Sequence, residues 1–133
     1  MENNVKQIII THEVDIAIAT SEARVLAAAG GFQQTEQYMI ATAVSELARN
    51  IFRYAKKGEV TMKIIEEKTK KGIEIVARDD GPGIKNIERA MTDHFSTGNS
   101  LGLGLPGVKR LMDEFEIESD CKKGTKITAR KWG

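Results

Sequence analysis

Gly72-Ile73-Glu74-Ile75-Val76-Ala77-Arg78 carries an apolar alternation that runs without a break into Asp79-Asp80-Gly81-Pro82-Gly83-Ile84. Period-two patterning with β-branched residues predicts a strand buried on one face. Two acids and a Gly-Pro-Gly step then stop that strand at once. The chain is thereby committed to a sheet in which one strand ends in an acid and a tight turn. Asp-x-Gly-x-Gly on its own admits two readings. It is a turn and nothing more, or Asp79 accepts a hydrogen bond from the exocyclic amine of a ligand while Gly83 leaves room for a flat ring.

The other segments predict what surrounds this strand. Residues 5–10 are rich in β-branched side chains and residues 14–18 alternate, so both read as strands, with Thr11-His12-Glu13 between them. Residues 21–29 are alanine-rich and stop at Gly30-Gly31, which predicts a helix with a glycine C-cap. Thr35 is the expected cap of a longer helix reaching Tyr54, in which Ile40, Val44, Leu47, Ala48 and Ile51 form one buried stripe. Residues 60–65 and 73–77 pair as antiparallel strands about a charged turn. Residues 86–91 are expected as a short helix and residues 92–101 as a polar loop. Pro106 suits the first turn of a helix running to Phe115. Residues 115–119 and 125–129 close the chain as two strands about Gly124. Helices interrupting runs of hairpin strands predict an α+β two-layer sandwich, a mixed sheet with helices on one face.

At 133 residues the whole chain, 1–133, is expected to be one domain. Twenty basic against 19 acidic side chains leave a net charge of +1, and the basic residues are interspersed with acids, which argues against a nucleic-acid footprint. The single cysteine, Cys121, fits a reducing compartment. No apolar run reaches the roughly 18 residues of a membrane span, and the N-terminus lacks the pattern of a signal peptide. A cytoplasmic location and no membrane partner are expected.

Chemistry gathers in three places. Glu46 and Asn50 are four apart on the long helix and share a face at one edge of its apolar stripe. An Asn carbonyl oxygen is a hard ligand suited to Mg²⁺ beside phosphates, and a carboxylate near it can serve as general base. The second place is Asp79 with its glycines. The third is Gly102-Leu103-Gly104-Leu105-Pro106-Gly107, within a region that holds six of the twelve glycines. This run has dinucleotide-binding spacing, but no strand precedes it and no βαβ unit encloses it. It has P-loop spacing too, but Val108 stands where that loop needs Lys. A glycine-rich entry into a helix, with backbone N–H groups able to bind phosphate, is what survives. Eukaryotic-type kinase signatures are missing, and His12, His94 and Cys121 have no metal-ligand spacing.

Taken in order, these pieces resemble the GHKL ATPases, which share the Bergerat ATP-binding fold. Glu46-Leu47-Ala48-Arg49-Asn50 is similar to the N box, Asp79-Asp80-Gly81-Pro82-Gly83 to the first glycine box, and Gly102-Leu103-Gly104-Leu105 to the second. Gly124-Thr125 matches the terminal Gly-Thr element, so the resemblance covers nearly the whole chain. A chain of this length resembles the bacterial anti-sigma and switch-kinase group within that superfamily.

The resemblance implies a serine/threonine protein kinase using ATP and Mg²⁺. Glu46 would activate the attacking hydroxyl and Asn50 would coordinate the metal. Asp79 would bind the adenine amino group, supported by Thr125 through water. Gly81 and Gly83 would line the nucleotide, and Gly102, Leu103 and Gly104 would hold its phosphates, with residues 92–101 closing as a lid. Substrates would be STAS-domain proteins of a stressosome, and the released kinase would activate a PP2C-type phosphatase in a stress response. The alternative within the group is an anti-sigma factor or a nucleotide-dependent partner-switching adaptor with little catalysis. Arg53-Tyr54 departs from relatives that carry a His after the N box, so that residue's role does not transfer.

Overall fold

The computed structural model describes residues 5–81, 104–120 and 124–133. Its elements run β1 (Val5–Ile10), α1 (Val14–Ala29), α2 (Gln34–Tyr54), β2 (Gly58–Glu67), β3 (Lys70–Asp79), α3 (Gly104–Leu111), β4 (Glu114–Asp120) and β5 (Gly124–Trp132). The five strands form one sheet in the order β1-β2-β3-β5-β4, and the α+β character expected from the sequence holds. Every pairing is antiparallel, so the sheet is antiparallel and not mixed. Hairpins join β2 to β3 and β4 to β5 directly, and neither needs the crossover of a parallel pair.

Alternation along each strand separates two faces. Ile10, Val60, Met62, Ile73, Ile75, Ala77, Ile127 and Ala129 point toward the helices and are buried. On the opposite face an ion ladder crosses four strands: Lys63 to Glu74 at 3.5 Å, Glu74 to Arg130 at 2.8 Å, and Arg130 to Glu114 at 2.9 Å. The register aligns these four side chains in one row. Hydrogen bonds from the Trp132 indole and from Arg130 hold the Glu114 carboxyl below its ordinary range.

The α2 stripe packs as expected, with Ile40, Val44, Leu47, Ala48 and Ile51 all buried. Each large aliphatic contributes roughly 1.5–3 kcal/mol by leaving water. Its N-cap is Gln33 and not Thr35; the Gln33 N–H donates to Glu36 Oε1 at 3.4 Å, which ties the first turn back on itself.

Two boundaries differ from the sequence reading. Residues 14–18, expected as a strand, are the first turns of α1. Ile16, Ala19, Ala23, Leu26 and Ala27 recur at helical spacing and are buried, so the short alternation at 14–18 is one end of a longer 3.6-residue pattern. The Asp15 carboxylate accepts the N–H groups of Thr11 at 3.0 Å and His12 at 2.9 Å, which anchors that end of the helix. The far end closes on the expected glycines: Phe32 N–H donates to Ala27 O, Gly31 N–H to Ala28 O, and Gly31 has φ +89°.

The last helix stops at Leu111, short of the expected Phe115. Asp113 N–H donates to Arg130 O, and Phe115 pairs with Ala129, so the sheet captures this segment. The expected helix at 86–91 and loop at 92–101 lie outside the described residues.

The orientation of α1 is testable by contrast. Leu26→Ala should lower unfolding stability by about 2–5 kcal/mol, and its exposed neighbour Val25→Ala by less than about 0.5 kcal/mol, in urea titrations. Equal costs would contradict this placement of the helix.

Candidate functional site

With its apolar stripe against the sheet, α2 carries Glu46 and Asn50 one turn apart along the edge of that stripe. Glu46 is 4% exposed and Asn50 is half-buried. Among the described residues Asn50, Asp79 and Thr125 line one cavity, with Leu47, Ile51, Leu105 and Ile127 as its apolar walls. The described walls enclose about 40 Å³. Helix, central strand and last strand thus meet at this cavity.

Register explains how Asp79 is held. It is the last residue of β3, opposite Gly58 on β2 and Thr125 on β5. Its Oδ1 accepts the Gly81 N–H at 2.8 Å. Gly81 sits so close to the end of α2 that an added Cβ would lie 2.6 Å from Ala55 Cβ, so the turn after β3 needs a residue with no side chain. Thr125 is buried, and its hydroxyl lies 2.8 Å from Ser119 Oγ on β4. The row Gly58, Asp79, Thr125, Ser119 therefore crosses four strands, and its two middle members line the cavity.

Burial pushes the Asp79 carboxyl above its ordinary value; backbone hydrogen bonds from Gly81 and Thr125 oppose this, and the charge of Asp80 adds to the rise. An acid in this condition is a responsive hydrogen-bond acceptor for a ligand N–H. A metal held here would have Asn50 as an oxygen donor, and no group of three or more His, Cys, Asp or Glu able to bind one occurs among the described residues. That donor set suits Mg²⁺ bound chiefly through phosphate oxygens and water.

Gly104 has φ +49° and opens α3, and the next residue, Leu105, reaches the cavity. The other end of α3 is fastened to β5. Lys131 is 7% exposed, and its Nζ donates to Leu111 O at 3.0 Å, where the helix dipole favours a cation. Gly83, Gly102 and Leu103 lie outside the described residues.

Two contributors went unnoticed in the sequence, and a third has a role beyond its turn. Ser119 shares the helix-facing side of β4 with Phe115 and Ile117, and a hydroxyl in an apolar row was its signal. Lys131 follows Ile127 and Ala129 in the same way on β5. Gly124, expected at the turn and in the Gly-Thr element, has φ +87° and passes so close to Asp79 that an added Cβ would collide with the Asp79 carbonyl oxygen.

The sequence matches the family of histidine kinase-like ATPase domains over residues 11–131. A protein named serine/threonine-protein kinase RsbT, from Bacillus subtilis (strain 168), is 50% identical over 123 residues, 92% of each chain. An anti-sigma F factor from Clostridium novyi (strain NT) is 36% identical over 69% of this chain and 68% of its own. Another from Thermoanaerobacter sp. (strain X514) is 38% identical over 70% and 68%.

Gly124→Ala should destabilise the fold by about 1–3 kcal/mol, from a strained φ and the clash with Asp79 together. Equal urea midpoints for variant and wild type would contradict the close approach. Asp79 also makes stability pH-dependent. Its folded value is raised, so the folded state holds the proton more tightly. The stability this adds is complete below the unfolded value of 3.8 and is lost as pH rises through the folded value. Relative to Asp79→Asn, the wild type should therefore lose stability as pH rises from the unfolded value of 3.8 through the raised folded value. A difference that stays constant over that range would contradict the burial of the carboxylate.

Proposed function

Because the chain belongs to the family of histidine kinase-like ATPase domains, we propose that it is an ATP-dependent serine/threonine protein kinase that acts by switching protein partners. The observation that carries this reading is the meeting of Asn50, Asp79 and Thr125 on one cavity, with the buried Glu46 a turn away on the Asn50 helix. The relative named as a serine/threonine-protein kinase supports it over 92% of the chain.

Asp79 accepts a hydrogen bond from the adenine amino group, and Thr125, braced by Ser119, supports it. Gly81 and Gly83 leave room for the base. Gly102, Leu103 and Gly104 offer backbone N–H groups to the phosphates at the start of α3. Asn50 would hold Mg²⁺ through its carbonyl oxygen, and the ion, when bound, would neutralise phosphate charge. Glu46 takes the proton from a substrate hydroxyl as that oxygen bonds to the γ-phosphorus, and the bond from the γ-phosphorus to the β,γ-bridging oxygen breaks to release ADP. Positioning and charge neutralisation supply the rest of the catalysis.

The substrates proposed are serine or threonine hydroxyls of STAS-domain proteins in a stressosome, and the second partner is a PP2C-type phosphatase that the released kinase activates. The proposed location is the cytoplasm; no described helix is long and apolar enough to cross a membrane. The anti-sigma F factor relatives favour one other reading, an adaptor in which ATP organises a partner-binding surface and is little consumed.

Glu46 and Asp79 separate binding from transfer. Glu46→Gln should bind ATP as the wild type does and transfer phosphate about 10²–10⁴-fold more slowly. Asp79→Asn should lose nucleotide binding. Transfer of radiolabelled γ-phosphate to a panel of STAS and sigma-factor proteins decides the class. Labelling of an STAS serine or threonine supports the kinase. Nucleotide-dependent capture of a sigma factor without labelling would sink it in favour of the adaptor.

A further inference from the structure

Thr125 meets the cavity from β5, and what its hydroxyl offers there depends on where the proton points. The residue is 8% exposed and lines the cavity with Asn50 and Asp79. A hydroxyl carries one donor and two acceptor lone pairs, so a rotating one reads donors and acceptors on a ligand alike. Thr125 is held against rotation. Its Oγ1 lies 2.8 Å from Ser119 Oγ, a full-strength O–H···O distance. Ser119 and Thr125 are directly paired across β4 and β5, as Thr125 and Asp79 are across β5 and β3. Asp79, Ser119, Gly124 and Thr125 also share the wall of an adjoining hollow, so the two hydroxyls and the carboxylate belong to one surface.

Distance and complementarity both make Ser119 the donor of the hydroxyl–hydroxyl bond. Ser119 Oγ has Thr125 Oγ1 at 2.8 Å and Gly124 O at 3.5 Å, and the nearer oxygen is the better acceptor. The ionised Asp79 carboxylate can only accept, as it does from the Gly81 N–H at 2.8 Å. On the edge of adenine a donor, the amine, stands beside an acceptor, N1. An acceptor at Asp79 is therefore matched by a donor next to it. With Ser119 donating to Thr125, the Thr125 proton is left for the cavity, to be given directly or through one water.

We infer that Ser119 is a positioning residue for base specificity: by donating to Thr125 it fixes that hydroxyl as a donor toward N1 of adenine. This rests on the proposed nucleotide reading and adds to it a residue that does not touch the base. Guanine presents the reverse edge, an acceptor at O6 beside a donor at N1. Asp79 and the fixed Thr125 would then each face a group of their own kind, which a site built on hydrogen bonds rejects. Without the Ser119 hydroxyl, Thr125 can turn its proton away and present a lone pair, which weakens adenine and relieves guanine.

The test is isothermal titration calorimetry of the full chain with ATP, GTP and 1-deaza-ATP, in which a C–H replaces N1. Ser119→Ala should bind ATP about three- to tenfold more weakly, the worth of one hydrogen bond, and should narrow the preference for ATP over GTP at least as much. Ser119→Thr keeps the hydroxyl on a strand that favours β-branched residues, and should stay within about twofold of the wild type. Wild type and Ser119→Ala should bind 1-deaza-ATP alike, because the atom that Thr125 addresses is gone. A loss of packing alone would weaken both nucleotides together, so this coupling isolates the hydroxyl. Should Ser119→Ala fail to fold, Ser119→Cys, similar in shape and a weak donor, decides with the same ligands. Wild-type ATP affinity in the variant, or equal losses for ATP and 1-deaza-ATP, would overturn the role of Ser119 and leave the nucleotide site standing. A wild type that binds GTP as tightly as ATP would overturn the adenine reading and this inference with it.

Discussion

The antiparallel pairing of β3 with β5 is the contact on which the candidate site depends. Its register sets Asp79 opposite Thr125 and leaves both at the strand ends nearest α2. A slip of one residue would turn Asp79 to the solvent face and carry Ile73, Ile75 and Ala77 out of the core with it. The cost of that slip is the burial of the central strand, so the acid is held by the hydrophobic core more than by its own hydrogen bonds. Gly124 completes the arrangement, since it brings the start of β5 against the end of β3 at a distance that no side chain permits.

The two layers divide the work. Helices cover one face of the sheet and build the cavity, while the other face is kept wet by a row of alternating charges. α3 joins the layers: its first residues point to the cavity, and its last carbonyl takes a bond from the buried Lys131. The strand that carries Thr125 into the site therefore also fixes the helix that opens at Gly104. α1 packs one side on the core, and α2 carries the side chains of the nucleotide cavity on the edge of its buried stripe.

Much of this was legible because the patterns are long. The α2 stripe repeats over three turns and places Glu46 and Asn50 without ambiguity, and the β2 and β3 patterns lead straight to Asp79. The short patterns misled. Residues 14–18 satisfy a period of two and a helical pattern equally, and Ile16, Ala19 and Ala23 on the core side decide for the helix. The end of α3 was misplaced because capture of Asp113 by Arg130 O is a long-range bond with no local signal. Ser119 and Lys131 escaped notice because their meaning lies in which face of a strand they occupy, and that face is defined only once the sheet is assembled.

The central claim is that the end of β3, the start of β5 and one side of α2 act together as a nucleotide site. Amide hydrogen exchange with and without ATP tests it most directly, since protection reports which backbone a ligand steadies. Added protection at Gly81, at Thr125, around Asn50 and at the first turn of α3, with none along the charged face of the sheet, is the predicted result. Protection spread evenly over the chain, or absent from Gly81 and Asn50, would contradict it.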